Sequence, residues 1–311
     1  MRRLVITVAA LALLPIPMLA QVTATTQVSQ APAPPAKESG FISYVDFSGS
    51  SNEDGHVLTM GLSGGYQFNR HVSVSARLPI YFVGTTNATP SSFPMGQRSS
   101  LSNNGVGDPT FALNLGFSKD ALIYTTGVAV SAPVTDTSNG FSTGNSLVDW
   151  TSRVSLKVGR LVPFGRLDIG NTVPDTPVFF LPYTAQGFNA RLEGGANFVL
   201  TKIFSAGASG YGVLPSGEQH VYSRMVTHNN TGMSMSPVST TTKHGFMSNP
   251  VTVGNDLTRD EGVSTWLTAN LPHYVDLQIA YTRSYGYDLN TVTFGVGYDL
   301  GAALHHRHAN Q

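Results

Sequence analysis

The amino-acid sequence predicts an all-β fold, a transmembrane antiparallel up-and-down β-barrel of about 12 strands with short periplasmic turns and long extracellular loops. Three observations support this prediction. The chain has 32 glycines among 311 residues and only 12% charged residues, whereas soluble domains carry about a quarter. Long stretches alternate between apolar and small or polar residues, which is the period of a β-strand. The connections between these stretches are alternately short and long.

Each predicted strand is an alternating stretch with turn or loop residues at its ends. In residues 56–68, for example, Leu58, Met60 and Leu62 are separated by small or polar residues. The predicted strands are 40–48, 56–68, 71–82, 105–118, 121–132, 147–159, 161–170, 185–200, 202–213, 262–271, 274–285 and 290–300. An even strand number places both ends of the barrel on the periplasmic side.

The connections follow the pattern of outer-membrane barrels, in which periplasmic turns are short and external loops are long. Only the last hairpin, around 286–289, lacks a long outer connection. Tight turns are predicted at 68–72, 117–121, 159–162, 200–203 and 271–274, and long outer loops at 49–55, 83–104, 133–146, 171–184 and 214–261.

Charge separates the two faces of the predicted strands. The apolar face of the regular strands carries no charged residue, and a lysine or arginine facing lipid would cost about 2–4 kcal/mol near mid-membrane. The opposite face must therefore be a lumen. The residues predicted to line it are Arg77, Asn114, Asp149, Arg153, Lys157, Arg166, Asp168, Arg191 and Glu193. Rings of such side chains select solutes; the alternative is a structural salt-bridge network that fills the lumen.

The two ends of the chain are predicted to lie outside the barrel, which spans 39–300. Residues 1–20 read as a signal peptide, with two arginines before an apolar run, and cleavage is placed after Ala20 or as late as Ala24. Residues 21–38 form a flexible periplasmic leader, and 301–311 a histidine-containing tail. The chain has no cysteine, so we expect neither a disulfide nor a lipidated N-terminal cysteine.

A short motif precedes the strand at 105–118. It consists of Gly105, Gly107 and Asp108 and follows a strand that contains Leu78 and Pro79. Proline lacks the N–H group that a sheet ladder needs, so Pro109 predicts a bulge or a strand start. In these residues the chain resembles the outer-membrane family of the MetA pathway of phenol degradation. The resemblance implies a transporter-like barrel over roughly 40–300 and solutes that are hydrophobic or aromatic, and it supplies no catalytic residues.

The sequence offers residues for two other kinds of chemistry. His71 and Ser73 have the spacing of a hydrolase pair, but they lie beside a periplasmic turn, and lipid hydrolysis in the outer leaflet needs a nucleophile reachable from that leaflet. The loop 214–261 contains soft-metal ligand types, in a composition equally typical of a plain surface loop: His220, Met225, His228, Met233, Met235, His244 and Met247. No enzyme, metal or cofactor is predicted, and this loop is expected either to constrict the barrel or to cap its mouth.

The predicted function is therefore that of a porin-like channel in the outer membrane of a Gram-negative-type bacterium, passing small molecules by passive diffusion. The alternatives are a structural or receptor barrel without an open pore and, less favoured, a lipid-modifying enzyme. The expected partners are outer-membrane lipid, the barrel-assembly machinery and a small-molecule solute. Nucleic acid is not among them, because the net charge is zero.

Overall fold

The structure is a computed structural model that describes residues 39–52, 55–87, 99–137, 140–176, 178–181, 183–222, 251–253, 259–272 and 275–300. The signal peptide, leader and tail predicted at the two ends lie outside these residues. The strands are β1 (Gly40–Asn52), β2 (Gly55–Asn69), β3 (Val72–Asn87), β4 (Ser99–Val106), β5 (Thr110–Lys119), β6 (Leu122–Ser131), β7 (Leu147–Leu156), β8 (Leu161–Gly170), β9 (Thr184–Val199), β10 (Phe204–Tyr222), β11 (Val251–Val253), β12 (Asp260–Leu271), β13 (Val275–Ser284) and β14 (Leu289–Asp299).

These strands form a closed antiparallel barrel of 12 strand positions, which confirms the predicted fold class. Consecutive positions pair with each other, and β14 pairs with β1, so the sheet closes into a barrel. Two positions are each occupied by two strands. β4 and β5 both pair with β3, and β11 and β12 both pair with β10. Among the described residues there is no helix long and apolar enough to cross a membrane.

The break between β4 and β5 lies at the motif. β3 pairs with β4 through Ile80–Asn87 and with β5 through Val72–Arg77. β5 begins at Thr110, directly after Pro109, so the prediction of a bulge or strand start at this proline is confirmed. The missing N–H of Pro109 falls where the ladder is interrupted and costs no strand hydrogen bond.

Four of the five predicted long outer loops differ from the structure in length or position. Strands β3 and β4 extend into 83–104, and strands β10 and β11 extend into 214–261. The connection expected at 49–55 is short, because β1 runs to Asn52 and β2 starts at Gly55, whose N–H donates to Asn52 Oδ1 at 3.2 Å. The connection at 171–184 does not extend away from the barrel. It folds into the lumen, and residues 171–183 are called the inward loop below.

The outer and inner faces of the strands differ as the alternation predicts. Large apolar side chains are exposed on the outer face, with Phe111 at 54% and Leu192 at 52%. Their neighbours along the chain point inward and are polar and buried, as in Ser264, Thr268 and Thr293. This is the inverse of a soluble sandwich, in which apolar side chains occupy the interior.

Candidate functional site: the barrel lumen

The lumen contains a cavity of about 350 Å³ between the barrel wall and the inward loop. Inner-face residues of β1–β3 and β5–β8 line it, together with residues of the connections β4–β5, β6–β7 and β8–β9. Eleven of the residues that line it are serines or threonines: Ser48, Thr59, Ser63, Ser75, Thr110, Ser131, Thr143, Thr151, Thr172, Thr176 and Thr184. We call the inner faces of β1–β7 the open side of the lumen.

An ion pair crosses β2 on the open side. Arg77 Nη2 of β3 donates to Asp46 Oδ2 of β1 at 2.6 Å, although β2 lies between the two strands. Gly61 of β2 makes this contact possible, because a Cβ there would lie 2.3 Å from Asp46 Oδ1 and 2.6 Å from Arg77 Nε. The Arg77 side chain remains 28% exposed and lines the cavity.

A denser charge cluster lies on β8 and β9. The strand register places Arg166 opposite Glu193 and Asp168 opposite Arg191, so charges alternate in both directions. Arg166 Nε donates to Asp168 Oδ1 at 2.9 Å and lies 2.8 Å from Asp168 Oδ2 as an ion pair. Arg191 Nη2 donates to Glu193 Oε2 at 3.0 Å. The Arg191 side chain is 1% exposed. Such buried charges are tolerated only when paired and hydrogen-bonded.

Two arginines of this region also stack on aromatic rings. The guanidinium carbon of Arg191 lies 4.4 Å from the ring centre of Phe179 and 5.4 Å from that of Tyr211. Arg153 lies 4.1 Å from the ring centre of Phe164. A guanidinium above a ring face is attracted by the ring quadrupole, more strongly when water is excluded. Because Phe179 belongs to the inward loop, Arg191 fixes the loop to the wall.

The base of the inward loop is held by hydrogen bonds to the flanking strands. Asn171 accepts the Val148 N–H at its side-chain oxygen, at 2.7 Å, and donates its own N–H to the Val148 carbonyl, at 3.0 Å. Thr172 Oγ1 donates to the carbonyl of Ala185 at 2.8 Å. These contacts direct the chain back over the barrel rather than away from it.

The tip of the inward loop is a tight turn packed against the opposite wall. Thr176 and Phe179 exchange two backbone hydrogen bonds, at 2.7 and 3.1 Å. The carbonyl of Val178 accepts a hydrogen bond from Thr282 Oγ1 of β13. Val178 also packs against an apolar cluster of Phe164, Trp266 and Ala280.

A larger apolar cluster surrounds the rest of the inward loop. It joins loop residues with inner-face residues of β9 and β10, and consists of Val173, Phe179, Leu181, Tyr183, Ala185, Tyr211, Val213 and Val221. The hydroxyl groups of Tyr183 and Tyr287 are hydrogen-bonded to each other. Burial raises the pKa of both phenols well above the ordinary value. We call this part of the lumen, the inner faces of β8–β10, β12 and β13, the filled side.

The motif residues Gly105, Gly107 and Asp108 anchor the connection after β6. Asp108 is buried and its Oδ1 accepts three hydrogen bonds, two from the N–H groups of Val134 and Thr135, both at 3.1 Å, and one from the Thr135 hydroxyl at 2.8 Å. Its Oδ2 accepts the Ser142 hydroxyl at 2.7 Å.

The two glycines of the motif make room for aromatic rings. A Cβ at Gly105 would lie 2.5 Å from the Phe141 ring, and one at Gly107 would lie 2.5 Å from the Tyr81 ring. Tyr81 and Phe141 stack on each other with their centres 5.4 Å apart, and both line the cavity. The motif therefore has a local structural reason that does not depend on any ligand.

The structure distributes the predicted lumen residues over three places. Arg77, Asn114, Asp149 and Arg166 line the cavity. Asp168, Arg191, Glu193 and Arg153 belong to the paired and stacked groups on β7–β9. Lys157 follows the end of β7, is exposed, and donates its backbone N–H to the Ala121 carbonyl at 2.8 Å. Whether these residues line a path for solutes stays a prediction.

The candidate hydrolase pair is placed unfavourably for chemistry. Ser73 is fully buried, and its hydroxyl has no hydrogen-bond partner among the described residues. His71 Nδ1 lies 3.2 Å from the carbonyl oxygen of Gly116. Within the described part of the chain, no group of three or more metal-ligating side chains occurs. The methionines and all but one of the histidines of the loop 214–261 lie outside the described residues.

Sequence reasoning missed the inward loop as a lumen element. The inward loop lies between two strands, at the position of an outer connection, and its length does not distinguish it from the other predicted outer loops. The available signal was composition, since residues 178–181 are all apolar. An apolar run in a loop between two strands needs a surface to bury it, and here that surface is the lumen wall.

The fold is that of outer-membrane β-barrels. Similar solved structures include the COG4313 outer membrane channel from Pseudomonas putida F1, with 10% identity, a TM-score of 0.51 and coverage of 85% of this chain and 97% of that chain. They also include the KdgM porin, with 9% identity, a TM-score of 0.45 and coverage of 82% of this chain and 98% of that chain. The NanC porin has 10% identity, a TM-score of 0.45 and coverage of 82% of this chain and 100% of that chain. No family model matches the sequence, and the comparison with curated proteins gives no match.

Proposed function

We propose that the protein is an outer-membrane channel through which small solutes diffuse along the open side of the lumen. The observation that supports this proposal is the contrast between a hydroxyl-lined cavity of about 350 Å³ and the packed inward loop beside it. A purely structural barrel has no need of an unfilled polar space, which apolar or paired side chains could fill at lower free energy. The exposed apolar outer face fits insertion into the outer membrane.

The inward loop is the constriction in this proposal. It narrows the lumen from the filled side, and its contacts through Phe179, Val178 and Tyr183 hold it there. In this proposal the inward loop, residues 171–183, constricts the lumen, a role that the sequence suggested for the loop 214–261. His71 and Ser73 have no catalytic role in the proposal.

The solute class follows from the lining. Serine, threonine and Asn114 offer hydrogen bonds to small hydrophilic solutes, which supports these as the main cargo. The resemblance to the phenol-degradation family points instead to hydrophobic or aromatic compounds, and the stacked Tyr81 and Phe141 are the lumen residues that would contact an aromatic ring. We propose that hydrophilic solutes pass and that aromatic groups are tolerated beside this pair.

Single-channel recording tests the proposal. The folded protein in a planar bilayer is expected to give steady unit conductance, and replacing 174–181 by a short Gly-Ser link is expected to raise it about twofold or more. Shortening 223–250 serves as the comparison, because a larger rise there would return the constriction to that loop. Liposome swelling with arabinose and with a phenyl glycoside separates the two solute classes.

Silence from both the intact chain and the shortened inward loop, with folding shown by heat-dependent gel mobility, would contradict the channel. The structural or receptor barrel would then be the better account.

A further inference from the structure

One carboxylate of the lumen has no counter-charge in contact with it. Asp149 of β7 is 8% exposed, and its Oδ1 has no hydrogen-bond partner in the described part of the chain. A buried carboxylate without a partner is costly. Asp149 lines the cavity, so a partner that enters the cavity would relieve this cost.

The neighbours of Asp149 explain why the wall does not supply that partner. The residues opposite it on β6 and β8 are Ala129 and Gly170, which have no polar side-chain atom. Its Oδ1 lies directly over Gly170, 2.1 Å from where a Cβ would be. Thr151, two residues along β7, donates its hydroxyl to Asp168 at 2.7 Å instead.

The other charged residues that line the cavity are already engaged. Arg77 is paired with Asp46, and Arg166 is paired with Asp168. Asp108 accepts hydrogen bonds from the connection after β6, and Asp175 accepts the Leu181 N–H at 2.9 Å. Since Asp46 and Asp168 neutralise the two lining guanidinium groups, Asp108, Asp149 and Asp175 give the lining an unbalanced negative charge. Of these three, Asp149 is the one with a buried carboxylate oxygen that has no hydrogen-bond partner in the described part of the chain.

We propose that Asp149 is the selectivity-determining residue of the lumen and that the cavity passes cations, inorganic or amine-bearing, in preference to anions. The proposal rests on the proposed channel function and names its solute charge. Burial without a counter-charge disfavours the ionised form of this carboxylate, and a cation that enters the cavity stabilises that form. In a poorly hydrated passage the ionised carboxylate attracts a cation and repels an anion more strongly than it would in bulk water. The hydroxyl groups around it replace part of the cation's hydration shell.

Reversal potentials in a KCl gradient, recorded at alkaline pH to favour the ionised carboxylate, test this proposal. The intact channel is expected to favour K⁺ over Cl⁻ about tenfold, and Asp149→Asn, which keeps the shape and removes the charge, is expected to reduce the ratio to about threefold or less. Glu261→Gln is the matched control, because Glu261 is exposed on the outer face of β12. This variant is expected to keep the ratio of the intact channel. Replacing K⁺ by methylammonium separates inorganic from amine-bearing cations.

Each outcome decides a different claim. A channel that conducts but prefers neither ion, or prefers Cl⁻, overturns the role of Asp149 even if the Asn variant fails to fold, since the intact chain alone shows it. Equal ratios in the intact channel and Asp149→Asn also overturn it while leaving the channel function standing. A folded but silent intact chain contradicts the channel function, and the selectivity proposal falls with it.

Discussion

The open side and the filled side of the lumen are built from the same strand pattern but hold their polar residues differently. On the open side, small hydroxyl residues face a cavity and one ion pair, Asp46 with Arg77, crosses β2. On the filled side, Arg191 is hydrogen-bonded to Glu193 and covered by the Phe179 ring. The comparison shows that a prominent charge such as Arg191 holds a loop, whereas the cavity is lined largely by serines and threonines.

The largest expected effect compares an arginine from each side. Arg191→Met is expected to lower the free energy of unfolding by about 3–5 kcal/mol, because it leaves Glu193 buried without its cation. Arg77→Met on the open side also leaves a buried carboxylate, Asp46, without its cation, but Arg77 is 28% exposed and lines the cavity, so water can reach the vacated site. A smaller cost of about 1–2 kcal/mol is therefore expected. Denaturant titration in detergent measures both. Equal costs would show that the two sides do not differ in packing.

The anchor at Asp108 offers a local test on the open side. Asp108→Ala removes the acceptor for the N–H groups of Val134 and Thr135 and leaves the Ser142 hydroxyl unpaired. A loss of about 2–3 kcal/mol is expected, because several charge-assisted hydrogen bonds disappear together. Hydrogen exchange at those two amides should accelerate while exchange in β9 and β10 is unchanged. Unaltered exchange at both amides would contradict the anchoring role.

Gly61 and Gly64 form a matched pair on β2. Gly61→Ala places a methyl group between Asp46 and Arg77 and is expected to cost about 1 kcal/mol by separating the pair. Gly64→Ala, where an added Cβ meets no atom within 4 Å, is expected to be neutral or slightly stabilising. Thermal unfolding of both variants gives the comparison. The account of the crossed ion pair fails if Gly61→Ala is as stable as Gly64→Ala.

The smallest expected effect concerns pH. Because burial raises the pKa of Tyr183 and Tyr287, their contribution to stability is complete below the unfolded value of about 10 and is lost as the pH rises above it. Stability measured from pH 9 to 12 should therefore fall above pH 10. Tyr183→Phe should reduce this dependence, with a cost at neutral pH of about 1 kcal/mol for the lost hydrogen bond.

The sequence predicted the barrel well because strand alternation is a local property. Phe111, Leu113 and their counterparts face outward since successive side chains of a strand point to opposite faces. The break at Pro109 was predictable from the missing N–H group. A salt-bridge network among the inward charges was one of the two alternatives that the sequence offered, but the partners of Arg191 could not be chosen, because the register between β8 and β9 sets them.

The inward loop could not be placed from the sequence for a related reason. Its contacts with Thr282, Trp266 and Tyr287 join segments about a hundred residues apart, and only barrel closure brings them together. The role of Asp108 was equally hidden, since its hydrogen bonds come from a connection that returns to it. The alternation of residues within a strand does not indicate which distant segment of the chain will contact that strand.

Cysteine accessibility tests most directly whether solutes move along the open side. The chain has no cysteine, so single substitutions can be labelled without background. Ala112→Cys lies on the cavity wall and Ser264→Cys lies on the filled side, where Ser264 is 1% exposed. A cationic methanethiosulfonate reagent should reduce the current of the Ala112→Cys channel and leave that of Ser264→Cys unchanged. Block at Ser264→Cys with none at Ala112→Cys, or equal block at both, would contradict the account.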